Sequence, residues 1–273
     1  MRVMANDGCA LNVHVLRAAK SDAAPPVLFI HALAMDGGMW QGVVDALSSS
    51  EAAPAGAMLA MDCRGHGASD TTEAAFTTTR FAHDMASVLD AVQAPRAPSV
   101  GCSMGGTVAL AFAAKFASRV ASLTVLDSTA WYGEQAPANW EKRAQTAENE
   151  GLAALLEFQR ARWFSPEFLV QQPDVVQQAV NVFMANRVSA YANSCRMLGH
   201  ADERAGLSAI LSPTAVLVGE DDYATPLTMA QEIAAGIAGA SLHVIQGARH
   251  YTPLETPKIV AQHIAAVMQR ASP

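Results

Sequence analysis

The stretch PSVGCSMGGTVALAFAA, residues 98–114, sets Ser103 among glycines where a short extended run turns into a helical one. Glycine is the costliest helix residue after proline, so Gly101, Gly105 and Gly106 need a reason. Gly101-Cys102-Ser103-Met104-Gly105 is a G-x-S-x-G, preceded by a strand-like run and followed by a helix. A tight turn there would drive side chains two positions either side of the serine into neighbouring backbone. Glycine at 101 and 105 removes those collisions, and Gly106 lets the new helix pack close to a sheet. The glycines are therefore expected to hold Ser103 exposed at a helix N-terminus. Cys102 ends the strand with its side chain turned away, which makes Ser103 the expected nucleophile.

Outward from this turn, strand-like and helical runs alternate. Residues 10–18 alternate with period two, as in a half-exposed strand, whereas 26–31 (PVLFIH) form the continuous apolar run of a strand buried on both faces. Further strands are expected at 56–62, 98–102, 122–127, 213–219 and 240–246, and helices at 39–49, 77–93 and 107–117. Threonines are available to cap the 77–93 helix, and two late helices open with Thr225-Pro226 and Thr256-Pro257, a cap followed by a residue suited to the first helical position. Between about 130 and 207 the patterns are helical only. The layout is α/β: a mostly parallel sheet with helices on both faces, interrupted by a helical insertion. The expected division is a core of 1–129 and 208–273 with an inserted helical cap at 130–207. Active sites of such sheets form at the carboxyl ends of the strands.

Bulk properties narrow the function classes. A chain of 273 residues with 51% hydrophobic and 16% charged residues can build a large core and is not disordered. The net charge of −7 offers no basic patch for nucleic acid. No apolar stretch approaches the ~20 residues of a membrane span, and the N-terminus lacks the apolar core of a secretory signal. Cys9, Cys63, Cys102 and Cys195 are scattered, without metal-ligand spacing, so reduced thiols in a cytoplasmic protein and no metal are expected. A homo-oligomer is compatible with this composition.

Serine is a poor nucleophile unless a base adjoins it. His14 and His243 fall in strand runs, His83 and His263 in helical runs, and His200 in the insertion, all suited to structural roles. His31 and His66 are loop residues ahead of Ser103. His250, in GARHYTPLETP, follows the last strand and is the best-placed base. For the acid that orients it, Asp221, Asp222 and Asp127 all stand at strand ends.

These residues resemble the α/β-hydrolase superfamily over essentially the whole chain, in FIHALAMDGGMW, MDCRGHGASD, GCSMGG, GEDDYATP and GARHYTPLETP. The resemblance implies the order Ser, Asp, His and a helical cap inserted after the sixth core strand. The family's G-x-x-D-x-x-x-P spacing, read from Gly219 to Pro226, selects Asp222 as the acid. It also implies an oxyanion hole from the backbone N–H groups of Met104 and, in His31-Ala32-Leu33, of Leu33; Ala32 replaces the more common glycine. Asp62, Arg64 and His66 are expected to be mainly structural.

The HALAMD loop, ARWF, ANRVSAYANSCRMLGHAD and VGEDDYATP are further similar to 3-oxoadipate enol-lactonases and their close relatives, enzymes of aromatic-compound degradation. That implies a serine hydrolase of a small ester or lactone, working through an acyl-enzyme and without a cofactor. Trp131, Trp140 and Trp163 are expected either to pack the cap or to line the acyl pocket. Arg162, Arg187 and Arg196 are candidates for a substrate carboxylate. Serine at 103 speaks against members with an aspartate nucleophile, and Tyr251 after His250 speaks against C–C hydrolases, which usually carry tryptophan there. C–C hydrolysis or perhydrolysis on the same triad is the alternative, followed by a non-catalytic small-molecule sensor.

Overall fold

The computed structural model describes residues 1–21 and 23–271. Its strands are β1 (Arg2–Met4), β2 (Ala10–Arg17), β3 (Val27–Ile30), β4 (Met58–Met61), β5 (Ala97–Cys102), β6 (Val120–Leu126), β7 (Thr214–Gly219) and β8 (Ser241–Ile245). They form one sheet in the order β1-β2-β4-β3-β5-β6-β7-β8. The pairs β1–β2 and β2–β4 are antiparallel, and all the others are parallel. The apolar run of β3 is buried at every residue, as a strand covered on both faces requires. The short edge strand β1, absent from the sequence reading, exists through its register with β2, where Arg2 faces Asn12 and Met4 faces Ala10.

Before the insertion come α1 (Gln41–Ser48), α2 (Thr78–Ala91) and α3 (Met104–Lys115). The insertion carries α4 (Ala136–Glu150), α5 (Leu156–Trp163), α6 (Pro166–Gln171), α7 (Pro173–Met184) and α8 (Val188–His200), all between β6 and β7. After β7 follow α9 (Leu227–Gly236), the short α10 (Thr252–Glu255) and α11 (Pro257–Arg270). Helix α3 packs on β5 and α2, while α1 packs against α11. Among the described residues no helix is long and apolar enough to cross a membrane.

Capping follows the sequence at one helix and departs at two. Thr77 caps α2, accepting from the Arg80 N–H at 3.0 Å. Thr225 does not cap α9: the N-cap position is Pro226, and the Thr225 hydroxyl is drawn instead to Asp222 at 2.8 Å. Thr256 holds the N-cap position of α11 with Pro257 following, but its hydroxyl donates back to the Thr252 carbonyl at 3.1 Å. Neither hydroxyl accepts from a helix N–H: Thr225 stands one residue before the N-cap, and Thr256 holds that position without a side-chain cap bond.

Candidate active site

Ser103 sits at the turn between β5 and α3 with a left-handed φ of 53°, a strained value for a residue with a Cβ. The surrounding glycines explain how the chain tolerates it. A Cβ on Gly101 would lie 2.2 Å from the Gly105 carbonyl oxygen, and one on Gly105 would lie 2.3 Å from that of Ile30. A Cβ on Gly106 would meet Ser128 at 2.6 Å, in the turn that follows β6. Cys102 is fully buried, its Sγ 3.9 Å from Asp127. Burial and the adjoining carboxylates push its thiol well above the ordinary range, so it has no thiolate to offer.

His250 follows β8 and reaches back to the serine across 147 residues of sequence, with Nε2 2.9 Å from Ser103 Oγ. Its Nδ1 lies 2.8 Å from Asp222 Oδ2, in the turn after β7. All three side chains are buried, Ser103 at 5%, Asp222 at 4% and His250 at 6% exposure, so Ser103, expected to be exposed, instead faces a covered cavity. Burial pushes the Asp222 carboxyl up, but the facing His250 imidazole and the Thr225 donors outweigh it and hold the group below its usual range. An ionised Asp222 fixes the proton on Nδ1 and leaves Nε2 to accept from the serine hydroxyl. That arrangement can transfer the serine proton as an acyl carbon is attacked.

The other two acids stand apart. Asp221 is exposed. Asp127 is fully buried but binds Gly219 N–H at 3.1 Å and Thr252, with Oγ1 at 2.6 Å and N at 3.1 Å, without touching His250. Leu33 lines the same cavity as Ser103, and Met104 is the first residue of α3. Among the described residues neither backbone N–H has a protein acceptor. Asp62 accepts from Asn12, Gly37 and Ala68 and contacts His14, while Arg64 bridges Asp84 and Asp7. These networks, with fully buried His66 and His31, brace the loops below the site.

A cavity of about 530 Å³ opens above Ser103, between the strand ends and α4 and α5. Trp140 and Trp163 line it; Trp131 does not, and lies under the Arg204 guanidinium at 3.6 Å. Of the arginines, Arg162 lines the cavity, donating to the Tyr223 carbonyl at 2.7 Å. Arg187 is turned toward the Ser69 carbonyl at 3.4 Å. Arg196 is held by Glu141 and Glu148, which braces α4 on α8. The sequence reading passed over Arg143. Its Nε donates to Tyr191 Oη at 2.7 Å, its guanidinium lies 4.8 Å over the Trp140 ring, and it forms no salt bridge among the described residues. Its spacing of three from Trp140 was the available signal, since such pairs share a helix face. The cavity wall thus carries Lys142, Arg143 and Arg162 and no Asp or Glu.

The sequence pattern of the alpha/beta hydrolase fold matches residues 25–257, and the chain belongs to that family. It is 34% identical over 237 residues, 86% of its length and 85% of the relative's, to 3-oxoadipate enol-lactonase 1 of Acinetobacter baylyi. It is 29% identical to 3-oxoadipate enol-lactonase 2 of the same organism, over 90% of this chain and 89% of that one. The crystal structure of the enol-lactonase from Burkholderia xenovorans LB400 superposes with a TM-score of 0.91 at 27% identity, covering 98% of this chain and 100% of that one.

Proposed function

We propose that the protein is a serine hydrolase of a small carboxylic ester or lactone that itself carries a carboxylate, an enol-lactone of the 3-oxoadipate type being the best fit. Residues 1–129 and 208–273 then act as the catalytic core and 130–207 as the cap that reads the substrate. The observation that carries the reading is one cavity lined by Ser103 and His250, with Asp222 behind the histidine, together with three cations and, among the described lining residues, no acid. In a chain of net charge −7 that local reversal suits a ligand of negative charge. The names of the relatives point to the same substrate class.

Ser103 Oγ attacks the acyl carbon as its proton passes to His250 Nε2, and Asp222 stabilises the imidazolium. The oxyanion rests on the N–H groups of Leu33 and Met104, donors worth roughly 10²–10³ in rate each. The C–O bond breaks as His250 returns the proton to the leaving oxygen, which in a lactone stays tethered to the acyl chain. His250 then draws a proton from water, which adds to the acyl-enzyme, and collapse frees the acid and regenerates Ser103. Arg143, fixed by Tyr191 and flattened on Trp140, is the prime candidate for the distal carboxylate, with Arg162 beside it.

The test compares 3-oxoadipate enol-lactone with 4-nitrophenyl acetate in wild type, Ser103→Ala and Arg143→Met. Turnover of both substrates should vanish in Ser103→Ala. Arg143→Met should lower kcat/KM for the lactone about 10–100-fold, mostly through KM, and leave the neutral ester within about threefold. Equal losses on both substrates would remove the anion-binding role, and activity surviving in Ser103→Ala would remove the mechanism.

A further inference from the structure

His250 is mounted from two sides. On the sheet side, Asp127 binds Thr252, two residues beyond it. On the insertion side, the turn at 161–165 that ends α5 holds both residues flanking the histidine. Tyr251 N–H donates to the Trp163 carbonyl at 3.0 Å. Arg249 Nη1 donates to the carbonyls of Ala161 and Phe164, at 2.5 and 3.3 Å. The Glu255 carboxylate joins the two segments: Oε1 accepts from Arg249 N–H at 2.9 Å and Oε2 from Ser165 N–H at 3.1 Å. Above these bonds the Trp163 ring stacks on Tyr251, with centroids 5.3 Å apart and planes at 17°, and Tyr251 stacks in turn on His250 at 5.5 Å and 29°.

We infer that Glu255 is a positioning residue that ties the helical insertion to the loop bearing His250, so that the insertion forms part of the mounting of the base. This rests on the reading of Ser103 and His250 as nucleophile and base. A carboxylate suits the task because both partners are N–H donors and both of its oxygens accept. Glutamine would have to turn its NH₂ group toward one of them. The turn at 161–165 also carries Arg162 and Trp163 to the cavity wall. A ligand seated against those two side chains therefore bears on the same turn that fixes His250.

The experiment follows the rate at which a fluorophosphonate modifies Ser103, together with kcat and KM on 4-nitrophenyl acetate, in wild type, Glu255→Gln and Arg196→Gln. The last variant breaks the ties to Glu141 and Glu148 within the insertion without touching 161–165, and gives a match for any loss of thermal stability. In Glu255→Gln the phosphonylation rate and kcat should fall about 10–100-fold, with KM within about threefold, as for an ångström-scale misplacement of a reacting group. Arg196→Gln should react at the wild-type rate while melting lower. Wild-type phosphonylation in Glu255→Gln, a loss confined to KM, or an equal loss in Arg196→Gln would each overturn the inference. Intact phosphonylation of the wild type without turnover of any ester would discard the substrate reading alone.

Discussion

Replacing Gly105 by alanine tests whether the glycines around Ser103 serve the site or only the fold. The added Cβ would lie 2.3 Å from the Ile30 carbonyl oxygen and 2.7 Å from that of His31, both backbone atoms at the end of β3. A shift is forced below 3.0 Å and ordinary contact begins at 3.4 Å, so the two segments must part by several tenths of an ångström and by about 1 Å to relax fully. Strand β3 is hydrogen-bonded to β4 on one side and β5 on the other and has little freedom to yield. Either the start of α3 moves, taking Ser103 and the Met104 N–H with it, or the loop beyond His31 moves, taking the Leu33 N–H. Both routes change the spacing between the proposed nucleophile and its proposed oxyanion donors, and loss of one such donor costs about 10²–10³ in rate.

Overpacking of this kind costs about 1–3 kcal/mol, offset in part by about 1 kcal/mol of helix propensity gained over glycine. At about 2–4 °C per kcal/mol for a domain near this size, Tm should fall by no more than ~12 °C. The assay is kcat/KM on a neutral ester well below Tm, beside a thermal melt. Gly42→Ala in α1 is the control, since its Cβ would meet only Pro257 at 3.4 Å and it should melt at or slightly above wild type with full activity. A Gly105→Ala enzyme that melts lower but turns over normally would refute the coupling between the elbow and the oxyanion loop. One unchanged in both would refute the clash itself.

Two further outcomes follow from buried charge and protonation. Asp222→Asn keeps the shape of the acid but presents an amide to His250 Nδ1, so kcat should drop by about 10⁴ with the fold retained, measured on the neutral ester; a loss under tenfold would reassign the orienting role. Acid should also unfold the protein through His66, whose imidazole burial and then the nearby His31 push down to about 3. Between that value and the ~6.5 of the unfolded chain, the unfolded state binds the extra proton, so stability falls as pH falls through this window. From pH 7.5 to 5.0 the loss amounts to about 2 kcal/mol and barely depends on the folded value so long as that stays below ~4. Urea unfolding of His66→Gln should lack that share of the loss, and a pH dependence equal to wild type would dismiss it.

The sheet and the Ser103 turn were legible because both depend on local patterning: continuous apolar strands, and glycines whose absence of a Cβ is a local necessity. Asp222 was separable from Asp221 and Asp127 only through the resemblance, since all three stand at strand ends and only contact with His250 distinguishes them. The cavity wall was half legible. Trp140 and Trp163 reach it, but Trp131 stacks under Arg204, and Arg196 spends its charge on Glu141 and Glu148. Side-chain destinations of that sort are set by partners far along the chain. The Glu255 bridge joins a residue 90 positions away, and no spacing rule spans such a distance. The Thr225 cap failed because α9 begins at Leu227, which puts Pro226 and not Thr225 at the N-cap position.

The wall of Lys142, Arg143 and Arg162 has a consequence for the end of the catalytic cycle. Hydrolysis of a carboxylate-bearing lactone turns a monoanion into a dianion inside a cationic chamber. On the proposed reading the product is held more strongly than the substrate that entered, and the expected slow event at low ionic strength is its departure rather than bond cleavage. Salt then acts as a release agent, weakening capture and hastening exit together. On that reading, the charge proposed to select the substrate also governs how quickly the chamber empties.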